Sequence, residues 1–202
     1  MLSSTLIPNS LYNSLPTIEE QAPPSDVHLQ ELGKLLVSHA LNGYLGISLL
    51  HRHSLLQDQS ILLHTGLRGT PTLPGDVRSL GNLKGASFFL HDGVFQAFEY
   101  EESTNIEDNI QLAFLEKFAE YLKLHGLERK IALSKFDLEY PKLMEHCEED
   151  DTGVITHVCK VTDENISQAE ATEWKFDWRD GAVVPVITRG CARTSSGDHK
   201  TK

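Results

Sequence analysis

Asp92-Gly93 sits between two aromatic-rich runs, Ala86 to His91 and Val94 to Glu101. Asp-Gly supplies the positive backbone angles of a two-residue turn, so these runs pair as neighbouring antiparallel strands. That hairpin commits the middle of the chain to a sheet. Further strands read at Tyr44 to Leu50 and Ser60 to His64, joined by the short polar link Ser54 to Gln59 and so expected to form a second hairpin. Ile131 to Phe136, Val154 to Val161 and Thr172 to Trp178 follow. The last places Trp174, Phe176 and Trp178 on one face, and Arg179-Asp180-Gly181 turns it into Val183 to Thr188.

Two segments carry helical spacing instead. Leu29, Leu32, Leu35, Leu36 and Ala40 form one stripe behind an expected Asp26 N-cap, predicting a helix to about Leu41 that stops at Asn42-Gly43. Ile110, Phe114, Phe118 and Leu122 recur at four-residue spacing up to a stop at Gly126. The predicted fold class is α+β: a largely antiparallel sheet of about six to seven strands with two main helices, and disordered N- and C-terminal tails. Residues 26–192 read as the single domain. Residues 1–25 hold four of the eight prolines and read as a mobile tail, and residues 193–202 as a polar tail. Gly66 to Gly85, with five glycines and two prolines, reads as a long irregular loop.

Lys plus Arg number 18 against 29 Asp plus Glu, a net charge of −11. That balance argues against nucleic acid and against an anionic membrane surface, both of which need a positive patch. No apolar run is long enough to span a bilayer. Three cysteines with no C-x-x-C pair give neither a disulfide framework nor a four-thiolate zinc site. The N-terminus lacks the basic start and apolar run of a secretory signal, so a reduced, cytoplasmic location is the expectation.

Six of the ten histidines lie in residues 1–100. Among them His51 and His53, two apart on an expected strand, would point to one face, where two neutral imidazoles can chelate a zinc, copper or iron ion or act as an acid–base pair. The same pair can equally cap a strand by bonding to backbone or water. His64, at the end of the next strand, is a candidate neighbour. His91 and Glu99 on the central hairpin, and Arg68 in the glycine-rich loop, complete the candidate ligand-binding set. Cys159 beside His157 lacks an orienting third group. Cys191, between Arg189 and Arg193, is the better candidate for a reactive thiol, because local positive charge favours thiolate. Glu145 to Asp151 holds five acids in seven residues without the order of a calcium loop, and reads as solvated. No Walker loop, dinucleotide fingerprint, nucleophile elbow or His-Glu-x-x-His helix is present.

The run Gly43-Tyr-Leu-Gly-Ile-Ser-Leu-Leu-His-Arg-His53 resembles a set of small fungal proteins of unknown function with a Leu-Leu-His-x-His motif. The likeness continues through Phe98-Glu99-Tyr100, Leu122 to Glu128, and Trp174, Phe176 and Cys191, covering roughly residues 27–192. It departs at Tyr44-Leu45-Gly46, at Ser54 and in the acidic stretch near 145–152. The resemblance implies a fungal origin and an association with secondary-metabolite biosynthesis, with no agreed activity. A cupin metal motif is approached by Gly46, His51 and His53 but is one residue short, with Gln57 and Asp58 where a glutamate is expected. Three functions therefore stand open from the sequence. One is an intracellular accessory protein binding a small organic molecule. Another is a small tailoring enzyme using His51 and His53, and the third is a protein–protein adaptor. Neither cofactor nor oligomeric state is legible.

Overall fold

The computed structural model describes residues 2–57, 59–77, 82–102, 110–135, 142–150, 153–160 and 169–191. In chain order the strands are β1 (Leu2–Ser3), β2 (Leu45–Leu49), β3 (Ile61–Thr65), β4 (Arg68–Thr72), β5 (Leu83–His91) and β6 (Val94–Glu102), followed by β7 (Ile131–Lys135), β8 (Leu143–Asp150), β9 (Gly153–Lys160), β10 (Glu170–Arg179) and β11 (Ala182–Cys191). The helices are α1 (Asn9–Asn13), α2 (Asp26–Ser38) and α3 (Leu112–His125), with short 3-10 turns at Ile18–Glu20 and Pro74–Asp76. No helix among the described residues is long and apolar enough to cross a membrane.

All eleven strands belong to one sheet, in the order β1-β6-β3-β4-β9-β8-β11-β10-β2-β7-β5, and β5 pairs back onto β6. The sheet thereby curls into a nearly closed, barrel-like wall. It is mixed: β1 and β3 run parallel to β6, and β8 runs parallel to β11. This corrects the expected six-to-seven-stranded, largely antiparallel sheet with two helices. The excess strands lie where strand signals are weakest. Strand β4 carries Gly69 and Pro71 within the stretch read as a loop, and β8 is built from the acidic run. The expected hairpin between residues 44–50 and 60–64 does not form. Strand β2 pairs with β7 and β10, whereas β3 pairs with β4 and β6.

Both Asp-Gly turns are in place, with Asp92 at φ 49° and Gly93 at 83°, and Asp180 at 51° and Gly181 at 80°. Ser25, one residue before the expected cap, accepts the His28 N–H and starts α2. That helix ends at Ser38, earlier than expected, on a left-handed Ala40. Gly126, left-handed at φ 64°, closes α3 where the sequence places it.

Leu29, Leu32 and Leu36 of α2 and Phe114, Phe118 and Leu122 of α3 pack with Leu45, Ile47, Leu49, Phe95 and Phe176 in the main core. Gly33 allows the close approach of α2, since a Cβ there would meet Phe176 Cδ1 at 2.3 Å. On β10 Trp174 and Phe176 are buried, but Trp178 is 60% exposed, so the aromatic face runs out of the core at the hairpin end.

A second cluster unites Tyr12, Leu15, Leu50, Leu56, Leu62, Phe89, Phe98 and Ala132. Tyr12, Leu15 and Ile18 are at most 1% exposed, which corrects the reading of residues 1–25 as a mobile tail. Sparse as they are, the apolar side chains Tyr12, Leu15 and Ile18 face inward, and polar groups of the segment bond to the loop after β2. Asn13 both donates to Leu56 O and accepts from Leu56 N–H, at 2.9 and 2.8 Å, and Arg52 N–H donates to Pro16 O at 2.9 Å. Residues 193–202 lie outside the described residues.

Candidate metal centre

The loop held by this N-terminal segment carries both motif histidines. His51 and His53 lie just beyond the end of β2 rather than on it, so strand alternation is not what aligns them. Their rings nevertheless meet, with centroids 4.7 Å apart, and the residues are 5% and 4% exposed. Local bonds set the geometry. His51 Nδ1 donates to Leu49 O at 2.7 Å, and His53 N–H donates to Tyr12 Oη at 3.2 Å. A carbonyl can only accept, so the Nδ1 of His51 carries a proton and its Nε2 holds the lone pair when the ring is neutral. Burial, then the neighbouring His53, lowers the His51 pKa and favours that neutral form.

Glu99 fixes the second ring. Its Oε1 accepts from His53 Nε2 at 3.0 Å, while Oε2 accepts from Ser87 Oγ at 2.9 Å and lies 3.5 Å from His64 Nε2. Burial opposes ionisation of Glu99, but the hydrogen bonds from His53 and His64 outweigh it and hold the carboxyl well below its usual range. A hydroxyl chain continues around the wall from Ser87 to Ser134 and on to Ser48, at 3.4 and 2.6 Å. With Nε2 donating to Glu99, the lone pair of His53 is on Nδ1, which lies 4.0 Å from Glu145 Oε2.

Glu145 comes from the acidic run, and this corrects the reading of that run as a solvated loop. The residue lies on β8 and is 1% exposed. Parallel pairing of β8 with β11 sets Glu145 opposite Cys191, two residues along from Arg189. Arg189 Nη1 donates to Glu145 Oε1 at 3.0 Å, and Cys191 Sγ donates to Oε2 at 2.8 Å. On the other side β10 places Glu173 opposite Arg189, with Nε and Oε2 3.8 Å apart, and Thr188 Oγ1 donates to Glu173 Oε1 at 2.9 Å.

The carboxyls are driven apart. Glu145 is pushed down to about 2 because His53, Arg189 and His51 outweigh the penalty of burial. Glu173 is raised, since burial dominates over Arg189 there. Burial works against the charge on Arg189, but Glu173 and Glu145 prevail and raise its pKa.

Stability that Glu145 contributes is present above its unfolded value of 4.5 and is lost as pH falls towards about 2. Glu99 acts in the same sense, and Glu173, with a raised value, acts in the opposite one. Urea unfolding of the wild type is expected to show a lower midpoint at about pH 3 than at about pH 6, with a smaller drop in Glu145→Gln. Equal drops in the two proteins would mean that Glu145 is not held ionised.

One ligand atom from each of His51, His53 and Glu145 lies within 4.8 Å of the other two. The space beside them amounts to about 10 Å³, room for one water or one bare ion. Larger grooves of about 710 and 370 Å³ flank α3 on the outside and touch none of these groups.

The sequence candidates therefore divide. His51, His53, Glu99 and His64 come together, and His64 arrives through the β3–β6 pairing rather than the expected hairpin. His91 lies at the hairpin turn with its side chain 43% exposed and its Nε2 3.5 Å from Asp92. Arg68 is exposed on β4; both are outside the cluster. Cys159 is half-buried and bonds to Met144 O, while the His157 side chain lies outside the described residues. Cys191 is in the site, but the positive charge expected to activate it is taken up by Glu145 and Glu173. Glu145, Glu173 and Thr172, whose Oγ1 lies 3.7 Å from Cys191 Sγ, join the site although no local sequence pattern marks them. The chain matches no family model, no curated protein and no solved structure.

Proposed function

We propose that this chain is a metal-binding protein that seats one zinc-class divalent cation on His51 Nε2, His53 Nδ1 and Glu145 inside the barrel wall. One observation carries the reading: each imidazole donates one nitrogen to a fixed acceptor, Leu49 O or Glu99, and one ligand atom from each ring and from Glu145 lies within 4.8 Å of the other two. Metal-bound histidines are oriented by such outer acceptors, which fix the tautomer and raise ligand basicity. Two imidazoles and a carboxylate suit zinc, whose filled d shell imposes no geometry that this irregular loop would have to match. The ion-sized space beside the ligands supports a bound cation over a bound organic molecule. The accessory role in fungal secondary metabolism suggested by the Leu-Leu-His-x-His resemblance is compatible with a metal-carrying partner protein.

A second reading, a small acid–base enzyme, is favoured by the opposite displacement of Glu145 and Glu173 around one guanidinium. Carboxyls pushed apart in this way are the pattern of a base and an acid sharing a site. Elemental analysis separates the two. Protein loaded with zinc and freed of excess is expected to retain close to one zinc per chain, and the double variant His51→Ala, His53→Ala close to none. A wild type that retains no zinc would remove the metal reading and leave the acid–base one.

A further inference from the structure

We infer that Cys191 supplies a fourth ligand, its sulfur, to the cation proposed on His51, His53 and Glu145, closing the site as a zinc thiolate. The inference rests on that three-ligand reading and deepens it. Cys191 Sγ lies 3.6 Å from His51 Nε2 and 2.8 Å from Glu145 Oε2, so the sulfur adjoins two of the three other donors. Its position is set by the ladder: Cys191 is fully buried and in register with Glu145 across β8 and β11. Tetrahedral zinc with ordinary bonds to nitrogen, oxygen and sulfur separates its ligand atoms by about 3.3–3.8 Å. The Sγ–Nε2 distance fits as it stands. The shorter Sγ–Oε2 distance is that of a thiol donating to a carboxylate, and it opens once a cation replaces the shared proton.

The binding step balances without a redox partner. The S–H bond breaks, its proton passes to the solvent, and the electron pair left on sulfur forms the metal–sulfur bond. Without a metal the thiolate would face an ionised carboxylate at hydrogen-bond distance, which opposes a role as nucleophile. Four protein donors leave no open position on a tetrahedral cation, as in zinc sites that hold structure. Such a site clasps β8, β11 and the histidine loop together.

Titration of chelator-treated full-length protein with Co2+ tests this. The wild type is expected to develop visible bands of tetrahedral intensity together with a near-ultraviolet sulfur-to-cobalt charge-transfer band. Cys191→Ser is expected to keep the visible bands, lose the charge-transfer band and bind at least tenfold more weakly; Cys147→Ser and Cys159→Ser keep both. Visible bands without charge transfer in the wild type, or a charge-transfer band that survives in Cys191→Ser, would overturn Cys191 as a ligand and leave the three-ligand site standing. No cobalt bound by the wild type would overturn both. X-ray absorption of the zinc-loaded wild type repeats the test without a variant: one sulfur at about 2.3 Å is expected, and a shell of nitrogen and oxygen alone overturns the inference.

Discussion

Arg189→Met is expected to lower the unfolding free energy of the metal-free protein by about 3–5 kcal/mol at neutral pH, measured by urea denaturation. The guanidinium bonds to Glu145 and faces Glu173, and both carboxylates are almost wholly buried. Methionine keeps much of the side-chain volume but removes the charge and its N–H donors, so the loss reports uncompensated carboxylates more than a cavity. Zinc is expected to restore part of that stability, because the cation supplies the positive charge that Glu145 has lost. A loss below about 1 kcal/mol would mean that the pair is screened by solvent like an ordinary surface bridge.

Leu15→Ala is expected to cost about 2–5 kcal/mol in the same assay, the range for truncating a buried leucine. Leu15 is 1% exposed and packs in the cluster with Leu50, Phe89 and Phe98. A mobile tail would instead give a change within about 0.5 kcal/mol. Because Tyr12 accepts from His53 N–H, and Asn13 brackets Leu56, loosening this segment also loosens the loop that carries His51 and His53. Weaker zinc binding should therefore accompany the stability loss.

What could be read in advance follows from how local each signal is. The Asp92-Gly93 and Asp180-Gly181 turns, the Phe114-Phe118-Leu122 row and the Gly126 cap are specified by residues within a few positions of one another, and each is found where the sequence places it. The parallel pairs β3–β6 and β8–β11 join distant segments, and nothing local announces them. The site divides along the same line. His51 and His53 stood out because they are adjacent, and Glu99 because it lies on the clear hairpin. Glu145 is one of five acids in its run, and its pairing with Cys191 across β8 and β11 is a long-range feature that no local pattern announces. The packing of the N-terminal segment is hidden in the sequence for a related reason. Its prolines and polar residues resemble a linker, while Tyr12, Leu15 and Ile18 are few but all buried.

The central claim is that two imidazoles, each oriented by a fixed acceptor, and a buried carboxylate form a cation site. Anomalous diffraction at the zinc edge, from crystals of chelator-treated protein soaked in Zn2+, tests it most directly. The account predicts one strong peak per chain, within bonding distance of His51 Nε2, His53 Nδ1 and a Glu145 carboxylate oxygen, and no such peak in crystals of His53→Ala. Zinc found only at surface histidines such as His91 or His125, with nothing between His51, His53 and Glu145, would contradict it.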